Sequence, residues 1–567
     1  MNSSDAQVLI VGAGPTGLTL AVTLRQFGVN CRVIDKLEEP GDKSKALAVH
    51  ARSLEMFENM GLADKMLEEG NICSGFSMYT GKTRLAQVST AEVESPFPFI
   101  LMLSQCAIER ILTEELKSLE GSIERGIELT DLSESDGSVM VTLKGSAGKE
   151  EKSSYSWVVG CDGSHSNVRK LLHLSFEGSA YQEQFGLADI DIASGIAEDE
   201  VTTFFHEDGA LVFFPMRNGR FRTLANVEEA TISGDAPTRE FMQELLDKRG
   251  PGNVKILKTH WLAWFRIHRR SVSEYRVGRT FVAGDAAHIH SPVGGQGMNT
   301  GMQDAHNLGW KLAMVVRGDA QEGILNSYQE ERHPVGQALL KGTDIATKMA
   351  FLRNPVAKQI RNHMVSFLSQ QEVFVQRLRS IGTMSAVNYR RSPIVGEYRG
   401  IVDMHLTGPD NEGPSLPSWM EFARAPLPGD HAPDVELMDD MGKPIRLYEA
   451  LRGVKHNLLL FDGKPTEEGY RNMEEIAKSV LQEFGEIVNC HLILTAERVP
   501  SSLNFAGTVY LDPQQIAQQV YGSSTESQYL IRPDFYIGFR SQPARFEPLE
   551  KHLQKVLGNI PATVSKA

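Results

Sequence analysis

The sequence predicts an α/β protein: a parallel sheet with crossover helices, interrupted by an inserted antiparallel sheet and followed by a helical segment and a second α/β domain. Three observations carry this. The chain opens with a β-branched run "QVLIV", a glycine turn, the helical stretch "TGLTLAVTLRQFG" and a second apolar run "CRVID", which together make a βαβ unit. Two later apolar runs, "YSWVVGCDG" and "RTFVAGD", also end in Gly/Asp, as do strands whose carboxyl ends meet at one crevice. Between them, from Phe185 to Ile267, strand-like patches alternate with turn signals such as "NG", the texture of an antiparallel insertion.

The elements then follow in order. The motif "GAGPTG" holds Gly12, Gly14, Thr16 and Gly17 between the first strand and its helix, and Asp35 and Lys36 end the next strand. Glycines there allow a tight turn and close approach of a pyrophosphate to the helix N-terminus, while Asp35 is placed to accept from a ribose hydroxyl. This fingerprint alone does not separate FAD from NAD. From Met302 to about Ala386 the pattern is mostly helical, and a Pro/Gly-rich passage over 407–433 reads as a linker. A compact α/β pattern with "HNLLLF", "CHLILT" and "DFYIGF" starts near Pro428. The predicted division is 1–74, 106–180 and 270–345 for a discontinuous Rossmann-like domain, and 75–105 with 181–269 for a substrate-binding sheet. The helical segment and linker take 346–427, and the last domain 428–567.

At 567 residues the chain is long enough for about three or four units. With 41% hydrophobic and 23% charged residues it reads as globular, and a net charge of -14 disfavours a nucleic-acid partner. The five cysteines are scattered without a C-x-x-C pair, which fits a reducing compartment. The apolar N-terminal run lacks a basic flank and is broken by Gly and Pro, so it reads as neither signal peptide nor membrane span. A soluble, cytoplasmic protein is expected.

The stretch "GDAAHIHSP" sets Asp285 beside His288 and His290 in an Asp-x-x-His-x-His pattern. Two histidines on one face of an extended segment could clip a metal, but no spacing signals a third and fourth ligand, so no metal is expected. A glycine at 284 lets a large ligand lie on bare backbone, with Asp285 placed to accept from its hydroxyls. The Gly-rich stretch up to Gly297 leads into a helix whose free N–H groups suit negative charge.

In order and spacing, "GAGPTG", "GCDGSHSNVRK" and "GRTFVAGDAAHIHSPVGGQGMNTGMQDAHNLGWKL" resemble the motifs of FAD-dependent aromatic hydroxylases, single-component flavoprotein monooxygenases related to para-hydroxybenzoate and phenol hydroxylases. The resemblance implies FAD as cofactor, NADPH or NADH as transient reductant, and O2 passing through a flavin C4a-hydroperoxide to a phenolic or polycyclic, polyketide-like aromatic. It gives Asp285 the FAD ribitol, the backbone of Gly297, Met298 and Asn299 the pyrimidine edge, and Pro292 a place near the oxygen-reacting carbon. It gives Gln105 a cofactor contact, and Asp162 with Arg169 a role in joining the FAD and nicotinamide sites; a surface salt bridge is the alternative for Arg169. Many relatives carry arginine where this chain has Lys45, and Arg52 is a candidate substitute.

Phe204, Phe213 and Phe214 suggest an aromatic pocket, and His206 and Tyr181 are candidate acid-base or orienting groups. Trp261 and Trp264 miss the Trp-x-Trp spacing of flavin halogenases and read as core. "LPGDHAPDVEL", "LRGVKHNLLLF" and "YLIRPDFYIGFRS" resemble the thioredoxin-like tail of the phenol-hydroxylase branch. Without C-x-x-C, a structural or homodimer-contact role is implied. Baeyer-Villiger or epoxidising chemistry on the same fold, a flavin-free NAD-dependent dehydrogenase and a metal-dependent hydrolase are the alternatives.

Overall fold

The computed structural model describes residues 6–193, 195–291, 294–350, 355–400, 416–463 and 467–558. At its centre, six strands lie in the order Arg276–Val277, Thr280–Val282, Trp157–Gly160, Val8–Val11, Cys31–Asp35 and Ile123–Arg125. All neighbours are parallel except the outer pair. Val8, Leu9 and Ile10 are wholly buried, as a central parallel strand covered on both faces requires. The register sets Val11 beside Gly160 and Gly160 beside Val282. The loops after all three strands therefore emerge side by side, although they come from distant parts of the chain.

Two helices pack closely over this sheet. A Cβ on Gly309, within the helix Gly297–Arg317, would lie 2.8 Å from Thr23 Cγ2 of the helix Pro15–Gln26. The longer helix is buried from Asn299 to Met314 and stops at Gly318, whose φ of 81° a glycine adopts without strain.

An eight-stranded sheet forms the insertion, in the order His288–Ile289, Lys255–Ser271, Glu177–Ala193, Arg220–Val227, Gly209–Pro215, Glu200–His206, Gly75–Thr80 and Thr83–Ser89. The helix Arg239–Arg249 covers one face, where Met242 and Leu246 meet Phe204, Leu211, Phe213 and Phe221. The opposite face carries Phe185, Leu187, Leu224 and Ile267, with Val212 and Phe214 half-buried beside them. The short pairing of Ser271 with His288 stitches this sheet to the segment after Gly284. A three-stranded antiparallel sheet over Ile127–Ser135, Ser138–Gly145 and Glu150–Tyr155 was not anticipated from the sequence, because its strands are mostly polar and exposed.

In the C-terminal part, His456–Phe461, Val488–Leu494 and Thr508–Leu511 are parallel, and Ser527–Ile531 runs antiparallel between the first of them and Ile537–Gln542. The strand Gly396–Arg399 joins this sheet beside Ile537–Gln542, so the sheet begins before the expected start near Pro428. Within the expected linker, Leu416–Arg424 is helical: its Phe422 is fully buried, an apolar anchor masked by the surrounding prolines and glycines.

A buried ion network joins this part to the first. Glu331, on the helix Asn326–Ala350, accepts from Lys311 Nζ at 2.7 Å, Asn307 Nδ2 at 2.7 Å, Ser392 Oγ at 2.7 Å and Arg532 NH1 at 2.7 Å. Arg532 also pairs with Asp534, which accepts from Trp310 Nε1 at 3.1 Å. Burial pulls the Lys311 ammonium down to about 8, opposed by Glu331. Glu331→Ala should leave Lys311 and Arg532 buried with one counter-charge removed, at a cost of about 3–5 kcal/mol. Urea unfolding of the full chain measures this, and a midpoint unchanged from the parent would contradict it.

Candidate functional site

The site is assembled from the loops at the carboxyl ends of the central strands. Gly12 has φ 106°, and a Cβ there would lie 2.4 Å from the carbonyl oxygen of Cys161; at Gly17 a Cβ would lie 1.9 Å from Gly12 O. These two glycines are required by the protein's own packing. Gly14 differs: a Cβ there meets nothing within 4 Å, and as N-cap it supplies no side-chain bond to the helix. Open space over uncapped N–H groups suits a pyrophosphate. Asp35 stands beside this turn, its Oδ2 accepting from Ala13 N at 2.7 Å, and Lys36 is exposed.

Thr16 faces the other way. Its hydroxyl is wedged where Cβ atoms on Gly284 and Gly301 would each approach to 2.6 Å. The turn at Gly284, with φ 60°, is thereby pressed against the helix Gly297–Arg317. Next to it Asp285 is exposed to solvent, although crowding by protein raises its carboxyl group against the pull of His288 and Lys45. Lys45 also acts on Glu109, as does Asp35. Gln105 donates from Nε2 to Glu109 Oε1 at 2.8 Å and from its backbone to Ser44 Oγ at 2.9 Å. Lys45, Gln105, Asp35 and Asp285 thus share one electrostatic neighbourhood, with Glu109 as a member the sequence reading missed.

Asp162 Oδ2 accepts from Asn167 N at 2.7 Å and from Val168 N at 3.2 Å, and burial raises its carboxyl group. Arg169 makes no surface salt bridge. It is 5% exposed, donates to Ala286 O at 2.9 Å and Ser164 O at 2.7 Å, and lies 3.8 Å over Phe176. It therefore ties the loop after the strand Trp157–Gly160 to the turn at Gly284. Arg52 does not serve as a substitute for Lys45: it is buried, paired with Glu55 and bonded to Ser385 O at 3.3 Å.

The trio Asp285, His288 and His290 does not converge as ligands. His288 Nε2 bonds Asp304 Oδ2 at 2.8 Å, where burial would raise the carboxyl but Arg332 and His288 hold it below its ordinary value. His290 Nδ1 donates to Ser291 O at 2.8 Å, leaving a buried Nε2 without a hydrogen bond beside Gly297. Among the described residues, the one His/Cys/Asp/Glu group close enough for a metal is His206, Glu207 and Asp208, at an exposed hairpin where Asp208 already pairs with Lys248.

The helix Gly297–Arg317 starts without a side-chain cap at Gln296. Asn299 spends its side chain on the protein, donating to Ala48 O at 2.8 Å and accepting from His50 N at 2.9 Å. His50 Nε2 in turn donates to Gly294 O at 2.9 Å. The first-turn N–H groups of Gly297, Met298 and Asn299 and the His290 acceptor fit the polar edge of a flavin. Pro292 lies outside the described residues, as does the side chain of Tyr181. His206 sits at the hairpin tip, accepting from Asp208 N at 3.2 Å, apart from these groups.

Gly14→Val should leave stability within about 1 kcal/mol while weakening FAD binding at least about tenfold, whereas Gly12→Ala should destabilise the fold itself. Flavin titration of the refolded apoprotein checks this; unchanged affinity in Gly14→Val would refute the cradle. Burial lowers His50 and His290 to about 4. Unfolded histidine takes up its proton near 6.5, so these groups contribute stability that is lost as pH falls from about 6.5 toward 4. The unfolding midpoint should drop across that window, and less steeply in His290→Gln.

The chain matches the FAD binding domain family over residues 5–343. It is 35% identical over 562 residues to 6-methylpretetramide 4-monooxygenase of Streptomyces rimosus, covering 97% of this chain and 93% of that protein. It is 32% identical over 563 residues to pentachlorophenol 4-monooxygenase of Sphingobium chlorophenolicum, covering 98% and 97%. The structure of an anhydrotetracycline hydroxylase from Streptomyces rimosus superposes with a TM-score of 0.74 at 26% identity, over 97% of this chain and 99% of that one. The chain therefore belongs to the FAD-binding family of flavoprotein aromatic monooxygenases.

Proposed function

We propose that this enzyme hydroxylates a phenolic or polycyclic aromatic compound, held between the flavin site and the face of the inserted sheet opposite the helix Arg239–Arg249. The observation that carries this is the composition of that face. Phe185, Leu187, Val212, Phe214 and Leu224 stand on it, and Val212 and Phe214 also meet Leu47, Ile100 and Met102. The expected pocket residues separate here: Phe214 belongs to this wall, but Phe204 and Phe213 pack under the helix Arg239–Arg249 on the other side. Relatives named for a tetracycline precursor and a chlorinated phenol agree with an aromatic substrate.

FAD, when bound, supplies acceptance of two electrons from NAD(P)H and activation of O2. The chain's part is to seat it: Gly14 and the helix behind it at the pyrophosphate, Asp35 at a ribose, Asp285 at the ribitol, and the first turn after Gln296 at the pyrimidine. The sheet holds the ring and excludes water.

For the reductant, a cationic face is at hand. Arg266, His268 and Arg270 alternate along one face of their strand, and the His268 imidazole is lowered by burial and then by Arg270, Arg266 and His165. On a chain of charge -14 this concentration suits the phosphates of NADPH or NADH. The C-terminal part is read as thioredoxin-like, since its strands His456–Phe461, Val488–Leu494, Ser527–Ile531 and Ile537–Gln542 have the order fourth, third, first, second with the third antiparallel. Cys490 is its one cysteine, so it supports the enzyme without thiol chemistry.

NAD(P)H oxidation by the FAD-loaded enzyme should rise with one or more members of a panel of phenols and fused-ring aromatics, with product mass increased by one oxygen. If no compound speeds flavin reduction or gains oxygen, the assignment fails. Arg270→Gln should raise KM for NAD(P)H about fivefold, equivalent to ~1 kcal/mol for one charge-phosphate contact, with FAD content unchanged. Stopped-flow reduction measures it; an unaltered KM would remove the cationic face from the scheme.

A further inference from the structure

One polar feature interrupts the apolar wall of the inserted sheet. Arg222 and Asp189 stand directly opposite each other on neighbouring strands and form a two-point ion pair, Nε to Oδ1 at 2.7 Å and NH2 to Oδ2 at 2.8 Å. They are 4% and 8% exposed. The same cross-strand row continues to Phe214 beyond Arg222 and to Trp261 beyond Asp189. The guanidinium lies 5.3 Å over the Trp261 ring. On the strand Arg220–Val227, Phe221 belongs to the helix-covered face, so alternation sends Arg222 to the face of Leu224 and Phe214.

The two members of the pair are unequally satisfied. Both carboxylate oxygens of Asp189 are engaged, but the guanidinium has five N–H donors and its NH1 makes no hydrogen bond among the described residues. NH1 is not sealed in by protein, so this arm of an otherwise buried guanidinium is open to an acceptor, and an anionic one suits it most. Its field reaches the cofactor groove. Burial, then Glu109, raises the Cys106 thiol, and Arg222 pulls it down. Cys106 follows Gln105 at the start of the helix Gln105–Ser118.

We propose that the Asp189-fixed guanidinium of Arg222 is the specificity element of the pocket, binding an oxyanion of the substrate: a phenolate or an enolised ring ketone. This rests on the reading of the Phe214 face as the substrate wall. Asp189 is the positioning residue, which holds the fork flat in the row; Trp261 and Phe214 flank it. The wall therefore selects among aromatic compounds by acidity as well as by shape, and it sets which ring edge meets the flavin.

The test compares two probes on the FAD-loaded, oxidised enzyme at pH 8: pentachlorophenol, which is ionised there, and its methyl ether, which cannot ionise. Dissociation constants come from perturbation of the flavin spectrum. Arg222→Gln should weaken pentachlorophenol about tenfold or more and the ether less than about twofold, with FAD affinity unchanged. Equal weakening of both probes, weakening of neither, or failure of the parent enzyme to bind either would overturn the proposal. So would a change in FAD affinity with probe selectivity retained, which would assign NH1 to the flavin. If Arg222→Gln does not fold, the double variant Arg222→Gln with Asp189→Asn, which leaves no unpaired charge, decides: it should weaken pentachlorophenol relative to the ether, and no relative loss would overturn the proposal. Oxygen incorporation into other aromatics, retained while this selectivity is absent, would separate failure here from failure of the hydroxylase reading.

Discussion

The carboxylate of Asp304 is the point on which the rest of the site depends. It is fully buried on the helix Gly297–Arg317 and accepts from Gly284 N at 3.2 Å, His288 Nε2 at 2.8 Å and Arg332 Nε at 2.7 Å. One side chain thus fixes the turn that carries Asp285, the strand that joins the inserted sheet, and the helix that follows. Burying that charge is tolerable because Arg332 is equally buried and also donates to Tyr389 Oη at 2.8 Å. The histidine that suggested a metal clip is spent on this tie.

Around that tie the two halves of the site are built on different terms. The cofactor side is made by backbone: bare glycines, uncapped helix starts and a few carboxylates at strand ends. The proposed substrate side is made by side chains standing on a sheet whose opposite face is sealed by Met242, Leu245 and Leu246. Backbone cradles constrain the sequence tightly, whereas a wall of side chains can change its selectivity one residue at a time.

This difference also governs what could be read from the sequence. Gly12, Gly14, Gly17 and Asp35 were legible because one βαβ unit contains them all, and Asp162, Gly284 and Asp285 because each ends a strand in a recognisable motif. Phe204, Phe213 and Phe214 were not sorted into faces: in "VTTFFHEDGALVFF" the paired phenylalanines place aromatics on both sides of each strand. The partnership of Asp189 with Arg222 depends on antiparallel register, and that of Glu331 with Arg532 on packing across 201 positions. Neither spacing leaves a local pattern. The strand Gly396–Arg399 is short and half-polar, and only its pairing with the end of the chain makes it a strand.

The Glu331 network has a meaning in time as well as in space. During synthesis, Lys311 and Glu331 are made long before Arg532 and Asp534, and the helix Gly297–Arg317 carries Lys311 into this group of four. Until residue 532 exists, Glu331 lacks its guanidinium and the network is incomplete. The cofactor-binding half, though encoded first, therefore reaches its final charge balance only with the arrival of the last domain.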